Sequence, residues 1–288
     1  MKQSLFILSC VFAIFLLSSF SLRSHRTLHS KIFTPAVFTE GIEGPAVDSS
    51  GNLYVVNFHH EGSIGIIKNG DSIPQLFVDL PKGSIGNGIC FDAQNNMYVA
   101  DYTQHNILKI DVHTKKISVL AHNEKMNQPN DVAIMKNGLL FASDPSWEKS
   151  SGNLWRINKD GSTTLLEENM GTTNGIEVSP DQRTLYVNES MQRKIWKYDL
   201  DDNGNISNKQ EVLSFQEDGL DGICCDSKGN LYISRYDAGI ILIISPKGRQ
   251  KVVAVLHGDK PTNVALSRDE KKLFVTMQDK KWIEVIEL

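Results

Sequence analysis

The sequence predicts an all-β protein, a six-bladed β-propeller, on three observations. The first is a segment written six times. Its copies begin at Glu43 (EGPAVDSSGNLYVVN), Asn87 (NGICFDAQNNMYVAD), Asn130 (NDVAIMKNGLLFASD), Asn174 (NGIEVSPDQRTLYVN), Asp221 (DGICCDSKGNLYIS) and Asn263 (NVALSRDEKKLFVTM). They follow one another at steps of 44, 43, 44, 47 and 42 residues. A period of roughly 40 to 50 residues, with about four short strands per unit, marks a propeller blade. The second observation is the local reading of each copy as a β-hairpin. In Leu220 to Ser234, Ile223 and Leu231-Tyr232-Ile233 supply strand residues around the turn chemistry of Asp226-Ser227-Lys228-Gly229-Asn230. The third is the weakness of helical periodicity after residue 30, with Gly and Asn recurring at turns.

Composition sets the bounds. The chain has 288 residues, 40% of them hydrophobic, enough for one closed ring to hold residues 31–288 as a single domain and a monomer. The net charge of -4, without a basic block, excludes nucleic acid as a partner. Residues 3–22 carry no charge, Lys2 precedes them, and Leu5 to Leu17 is almost wholly apolar. Ser19-Phe20-Ser21 then offers small residues at the −3 and −1 positions of a cleavage site. Residues 1–22 are therefore expected to be a secretory signal peptide, and the protein to be secreted. The alternative is an uncleaved signal anchor, which would be the chain's one contact with a membrane. Cys10 falls in that segment; Cys90 and Cys224 hold the same place in different copies, too far apart to bond, and read as small buried hydrophobes.

In chain order, Lys31 to Thr39 reads as a strand outside any blade of its own. Blade one follows as Gly44–Asp48, Asn52–Phe58, Ser63–Lys68 and Gln75–Leu80. Blade two runs from Asn87 to about Ala121, blade three from Asn130 to about Glu167, blade four from Asn174, and blade five from Asp221 to about Leu256. The longest step, in blade four, places its extra residues at Asp201-Asp202-Asn203-Gly204-Asn205, a solvated turn that lacks the downstream Glu of a calcium loop. Blade six has only Val264–Ser267, Lys272–Met277 and Trp282–Leu288 before the chain ends. The strand Lys31–Thr39 is expected to pair with Trp282–Leu288 and close the ring, removing the open edge.

The first strand of each blade lines the central channel, so equivalent positions converge on one mouth. The anchors there are Glu43, Asn87, Asn130, Asn174, Asp221 and Asn263, all carboxylates or carboxamides. Hard oxygen ligands of mixed charge suit Ca²⁺ or a similar divalent ion, and the lack of His and Cys disfavours zinc. The plainer alternative is that Asn and Asp cap turns by bonding their own backbone. That explains the Asn positions well and Glu43, a poor turn-former, less well.

On these residues the chain resembles the gluconolactonase/regucalcin family, also called the senescence marker protein family, of six-bladed propellers. The resemblance rests on EGPAVD at Glu43, QPNDVAIMKNGLLFASDPSW from Gln128, TNGIEVSPDQRTLYV from Thr173, LDGICCDSKGNLYIS from Leu220 and PTNVALSRDEKKLFVT from Pro261, and covers residues 31–288. It implies a hydrolase that opens lactone rings on a small-molecule substrate. It implies that Glu43, Asn174 and Asp221 are metal ligands, that Asp221 also gives and takes the proton, and that Asn130 contacts the ion or the substrate. Sugar-lactonase members place an arginine two residues before that asparagine; here it is Gln128. The resemblance therefore carries over the metal chemistry and not the sugar recognition.

Such a site would polarise a carbonyl and let a water attack it, with Asp221 as proton shuttle. A phosphotriester could take the lactone's place. A non-catalytic propeller that holds a ligand or protein is the alternative of another class. GxSxG, the serine-nucleophile signature, is absent. Among lesser candidates, His59-His60 reads as an exposed loop pair, Asp131 as a group behind Asn130, and Trp147 as a pocket wall or a packing residue. Asn188-Glu-Ser and Asn205-Ile-Ser match the glycosylation acceptor pattern, with Asn205 in the exposed insertion the better site.

Overall fold

A computed structural model describes residues 28–288; the expected signal segment, residues 1–22, and Cys10 lie outside the described residues. The described chain forms six antiparallel sheets arranged as the blades of a propeller. Blade one comprises Phe38–Val47, Leu53–Phe58, Ser63–Ile67 and Gln75–Asp79 from the channel outward. The innermost strands of the next five blades are Gly86–Phe91, Val132–Ile134, Thr173–Val178, Ile223–Cys225 and Pro261–Leu266.

The strands near the middle of a blade are largely buried on both faces, and Leu53–Phe58 and Ser63–Ile67 wholly so. Leu53–Phe58 shows why its sequence alternates between two apolar sets. Leu53 and Val55 pack toward Ala265, Phe274 and Ile283 of blade six, while Tyr54 and Val56 pack toward Ile89, Met97 and Val99 of blade two. The period of two in a strand sends successive side chains to opposite faces. The same partition recurs around the ring, with an apolar cluster between each pair of neighbouring blades. A truncation inside one of them, such as Ile64→Ala, removes contacts between two blades and costs about 2–5 kcal/mol.

The first hairpin turns of blades one, two and five are built by one device. Asp48 Oδ1 accepts the N–H groups of Ser50 (2.9 Å) and Asn52 (2.8 Å), while its Oδ2 accepts from Asn52 Nδ2 (2.9 Å) and from the Tyr54 hydroxyl (3.3 Å). Asp92 with Asn96 and Tyr98, and Asp226 with Asn230 and Tyr232, repeat it. Asp201 with Asn203 and Asn205 makes the same turn in the blade-four insertion, as an ordinary solvated turn. Asn205 is exposed there, whereas Asn188 is fully buried.

Ring closure differs from the expected nine-residue strand. Only Lys31 and Ile32 form a ladder with blade six, opposite Val285 and Glu284. Phe38 and Thr39 instead begin the inner strand of blade one, where Phe38 pairs with Phe58. Between them lies Pro35, which has no N–H to give to a ladder and interrupts the strand. A further pairing lies just upstream: Leu28 and His29 run parallel to Ala254 and Val255 on the outer edge of blade five. The N-terminal segment thus crosses the outer edges of two blades before entering the first.

Candidate functional site

The six anchor positions do not lie on regular strand. In blades two, four and six the register of the inner strand shifts between Gly86 and Ile89, Thr173 and Ile176, and Pro261 and Val264, bracketing Asn87, Asn174 and Asn263. In blade one the shifts fall on either side of Glu43. Bulges of this kind re-aim a side chain out of the pleat. The backbones of neighbouring blades meet closely at this level: Gly88 N–H donates to the carbonyl of Asn130 (2.7 Å) and Gly222 N–H to that of Thr262 (2.7 Å). Glycine after the anchor is a steric demand. A Cβ on Gly44, whose φ is +56°, would sit 2.0 Å from the Asn87 carbonyl oxygen, and one on Gly222 would sit 1.9 Å from Asn263 Oδ1.

A cavity of ≈ 710 Å³ opens at this mouth of the channel, and Glu43, Asn87, Asn130, Asn174 and Asp221 all line it. They come from five different blades and are brought together by the ring alone. Asn263, the sixth anchor, lines a separate cavity toward the opposite mouth. Its Oδ1 accepts the Val264 N–H at 2.8 Å, and its side chain bonds the Glu43 carboxyl from behind.

Three buried amide oxygens on this floor, Asn87 Oδ1, Asn130 Oδ1 and Asn174 Oδ1, have no hydrogen-bond partner. Leaving a buried carbonyl oxygen unpaired costs roughly 1–3 kcal/mol, so three together need a reason. The orientation of Asn174 is fixed: its Nδ2 donates to Ser190 Oγ at 3.0 Å, and Ser190 donates to the Leu220 carbonyl. Behind Asp221, Asn188 Nδ2 donates to the Asp221 carbonyl at 2.7 Å, leaving Asn188 Oδ1 also without a partner.

Glu43 and Asp221 are buried and in hydrogen-bond contact with each other. Burial pushes the Glu43 carboxyl up to about 7, against the opposing pull of the Gly44 N–H, which reaches Oε2 at 2.7 Å. Burial, and then the charge of Glu43 and its hydrogen bond, push Asp221 well above the usual carboxylate range, partly offset by Asn174. No lysine or arginine pairs with either among the described residues. Two adjacent buried carboxyls without a cation hold a proton between them. Two carboxyls and three unpartnered amide oxygens fit a hard divalent cation, which takes oxygen ligands and would replace that proton. Among the described residues there is no group of three or more His, Cys, Asp or Glu that could hold a metal ion, so a cation here would depend on the amides.

Of the residues singled out from the sequence, Glu43, Asn130, Asn174 and Asp221 share this cavity, and Trp147 lines its wall. His60 faces outward to Asp79 at 3.2 Å. Asp131 lines the cavity toward the opposite mouth, where Val132 N–H binds its Oδ1 at 2.9 Å. Asn87 was legible as an anchor, but nothing in the pattern singled it out for a role. Ser190 stood out only as the last residue of the Asn188-Glu-Ser acceptor pattern, which gave it no role at this site.

The SMP-30/Gluconolactonase/LRE-like region family matches residues 43–279. The gluconolactonase of Zymomonas mobilis is 31% identical over 215 residues, covering 66% of this chain and 60% of that protein. Chicken regucalcin is 27% identical over 183 residues, covering 58% of this chain and 61% of its own length. The matches thus span about three fifths of these relatives. Among solved structures, a calcium-binding protein, regucalcin, from Agrobacterium tumefaciens superposes with a TM-score of 0.79 at 18% identity, covering 90% of this chain and 94% of that one. A Xanthomonas campestris gluconolactonase gives 0.75 at 20% identity, covering 88% and 87%. With a family match over most of its length and the same propeller, this chain belongs to the SMP-30/gluconolactonase/LRE-like family.

Proposed function

We propose that this protein is a divalent-cation-dependent lactonase, with Glu43, Asn174 and Asp221 as the ligands of one ion, Ca²⁺ by preference. Asn130 is the fourth ligand or a contact to the substrate. The observation that carries the proposal is the set of buried, unpartnered amide oxygens beside a carboxyl pair that no basic residue neutralises. The names of the relatives support the substrate class: a gluconolactonase, a pentonolactonase and a putative sugar lactone lactonase are among them. The name of regucalcin and the calcium-binding description of a structural neighbour support the cation.

A cation held by Glu43, Asn174 and Asp221 would supply Lewis-acid polarisation of the lactone carbonyl and would offset the charge that develops on its oxygen. The chain's own residues do the rest. Asp221 accepts a proton from the attacking water and returns it to the ring oxygen as the C–O bond breaks, leaving a hydroxy acid. Its backbone is clamped for this, with Asn188 Nδ2 and Gly175 N–H both donating to its carbonyl. Ser190 holds the Asn174 amide so that Oδ1 stays on the cavity floor. Asn263 and the Gly44 N–H hold Glu43 from the other side.

The test is a panel of lactones and phosphotriesters, assayed with chelator and after Ca²⁺ is restored. Lactone turnover that chelation abolishes and Ca²⁺ returns is expected. Preferential turnover of a phosphotriester would move the substrate class while keeping the site. A chain that binds no divalent ion and turns over neither would be a binding propeller. We also propose that residues 1–22 are removed on secretion; the mass of the mature chain reads this, and an intact Met1 in a membrane fraction would mean a signal anchor.

A further inference from the structure

The wall of the cavity differs in kind from its floor. Turns that follow the second strands of blades two to five supply Tyr102, Trp147, Met191 and Tyr236 around the opening, with Ile42 and Leu220 buried beneath them. The polar groups among them are already engaged within the protein. Asn57 donates to the Gly41 carbonyl (2.6 Å) and accepts from the Gly62 N–H (3.0 Å). Thr262 Oγ1 donates to the Ile42 carbonyl (2.9 Å). The Tyr236 hydroxyl is given to Gln278. Ser190 is spent on Asn174 and Leu220.

The charges left at the rim are mostly negative. Glu40, Glu61, Asp218 and Asp237 line it against a single basic residue, Arg193. Glu40 is in turn paired with Lys281 at 3.1 Å. A negatively charged substrate meets repulsion at this rim. A substrate covered in hydroxyls finds its partners on the floor and at the charged rim, and not on the wall of Tyr102, Trp147, Met191 and Tyr236. An apolar substituent, by contrast, finds aromatic and aliphatic surface.

We infer that this site takes a neutral lactone bearing an apolar ring substituent, in preference to a polyhydroxylated sugar lactone. The inference rests on the lactonase reading for the chemistry, but it concerns the wall, and binding alone can test it. The probes are two lactams of the same six-membered ring, which bind without being opened: one carries a pentyl chain, the other the hydroxyls of gluconolactam. Titration calorimetry on the full Ca²⁺-loaded chain is expected to show the pentyl lactam binding roughly 10- to 100-fold tighter, from the methylenes it buries. Trp147→Ala is expected to erase most of that difference by weakening the pentyl lactam alone. Met191→Ala is a second probe of the same wall in case the tryptophan variant does not fold. Equal affinity, tighter gluconolactam or no binding of either would overturn the inference. Turnover of pentyl-δ-lactone and glucono-δ-lactone is measured separately. If neither is opened while the pentyl lactam still binds tighter, the lactonase reading fails and the wall assignment stands. If glucono-δ-lactone has the higher kcat/KM and gluconolactam the higher affinity, the wall assignment fails and the lactonase reading stands.

Discussion

The central channel has two ends built from the same repeat, and they treat polar groups in opposite ways. At the mouth lined by Glu43, Asn87, Asn130, Asn174 and Asp221, three amide oxygens have no partner within the protein. The other end holds a cavity of ≈ 370 Å³ lined by Cys90, Asp131, Glu177, Cys224, Cys225 and Asn263. No buried side-chain oxygen or nitrogen of this lining lacks a partner among the described residues. Asp131 accepts the N–H groups of Val132 and Ile176, Glu177 those of Val178 and Cys225, and Asn263 that of Val264. Burial pushes Glu177 up to about 8 and the Cys90 and Cys224 thiols well above their ordinary range, so all three stay protonated and the thiols inert. The difference teaches where to look for function in a propeller. Polar residues at a channel end are not in themselves a site; polar residues left unpaid by the protein are.

The comparison breaks first at Asp221. Asp221→Asn keeps the shape and can still offer a carbonyl oxygen, but cannot move a proton. Lactone turnover should fall roughly 10²- to 10⁴-fold while calcium binding survives in weakened form. A variant as fast as the parent would sink the assigned role.

Glu43→Gln removes the charge from the same floor and keeps one of the two oxygens. Its expected signature is a calcium affinity lower by roughly 10- to 100-fold, with turnover partly restored by excess Ca²⁺. Loss of turnover that no amount of Ca²⁺ restores would place Glu43 in the chemistry instead.

The proton held by the pair predicts a pH dependence. Calcium must displace it, so affinity should rise with pH through about 7, the Glu43 value, and go on rising above it while Asp221 keeps its proton. In the cation-free protein the sign reverses. A carboxyl raised from 4.5 to about 7 by folding favours the folded state while protonated. That contribution is fully present below 4.5 and is lost as pH climbs through 7. Thermal melts with chelator should therefore show lower stability at pH 8 than at pH 5, with added Ca²⁺ narrowing the gap. Flat calcium affinity between pH 6 and 8 would mean that no proton is displaced.

The smallest effect is expected at the other end. Glu177→Gln resembles the protonated acid already present, so turnover should stay within about twofold and stability within about 1 kcal/mol at neutral pH. By the same sign rule, this variant should lose less stability than the parent as pH rises from 4.5 to about 8. A large loss of turnover here would show that the two ends are coupled.

Much of this molecule was legible before any coordinates. The repeat from Glu43 to Asn263 is visible because each blade is a local hairpin structure with its own turn, the Asp48–Asn52–Tyr54 device in blade one and its copies in blades two and five among them. The glycines at positions 44, 88, 175 and 222 were visible as part of that repeat, but their reason was not. It lies in the neighbouring blade, whose backbone approaches to where a Cβ would stand. The closing strand was misread in extent because a strand pattern from Lys31 to Thr39 does not say which of two sheets each half joins. Pro35 was the available signal, and it marks the place where the chain leaves blade six for blade one.

What the sequence determined by itself is the blade and its count, since period, turn residues and alternation all act within some forty residues. It also determined which residue types stand at the anchors. The tertiary structure decided which anchors form a site. Asn263 carries the same side chain as Asn87, Asn130 and Asn174 and the same place in the repeat. Its oxygen is nonetheless spent on the Val264 N–H, while theirs are left open to the cavity. A hydrogen bond that short in sequence depends on how the bulge turns the side chain. That turn is set by the adjoining blades, which no single repeat contains.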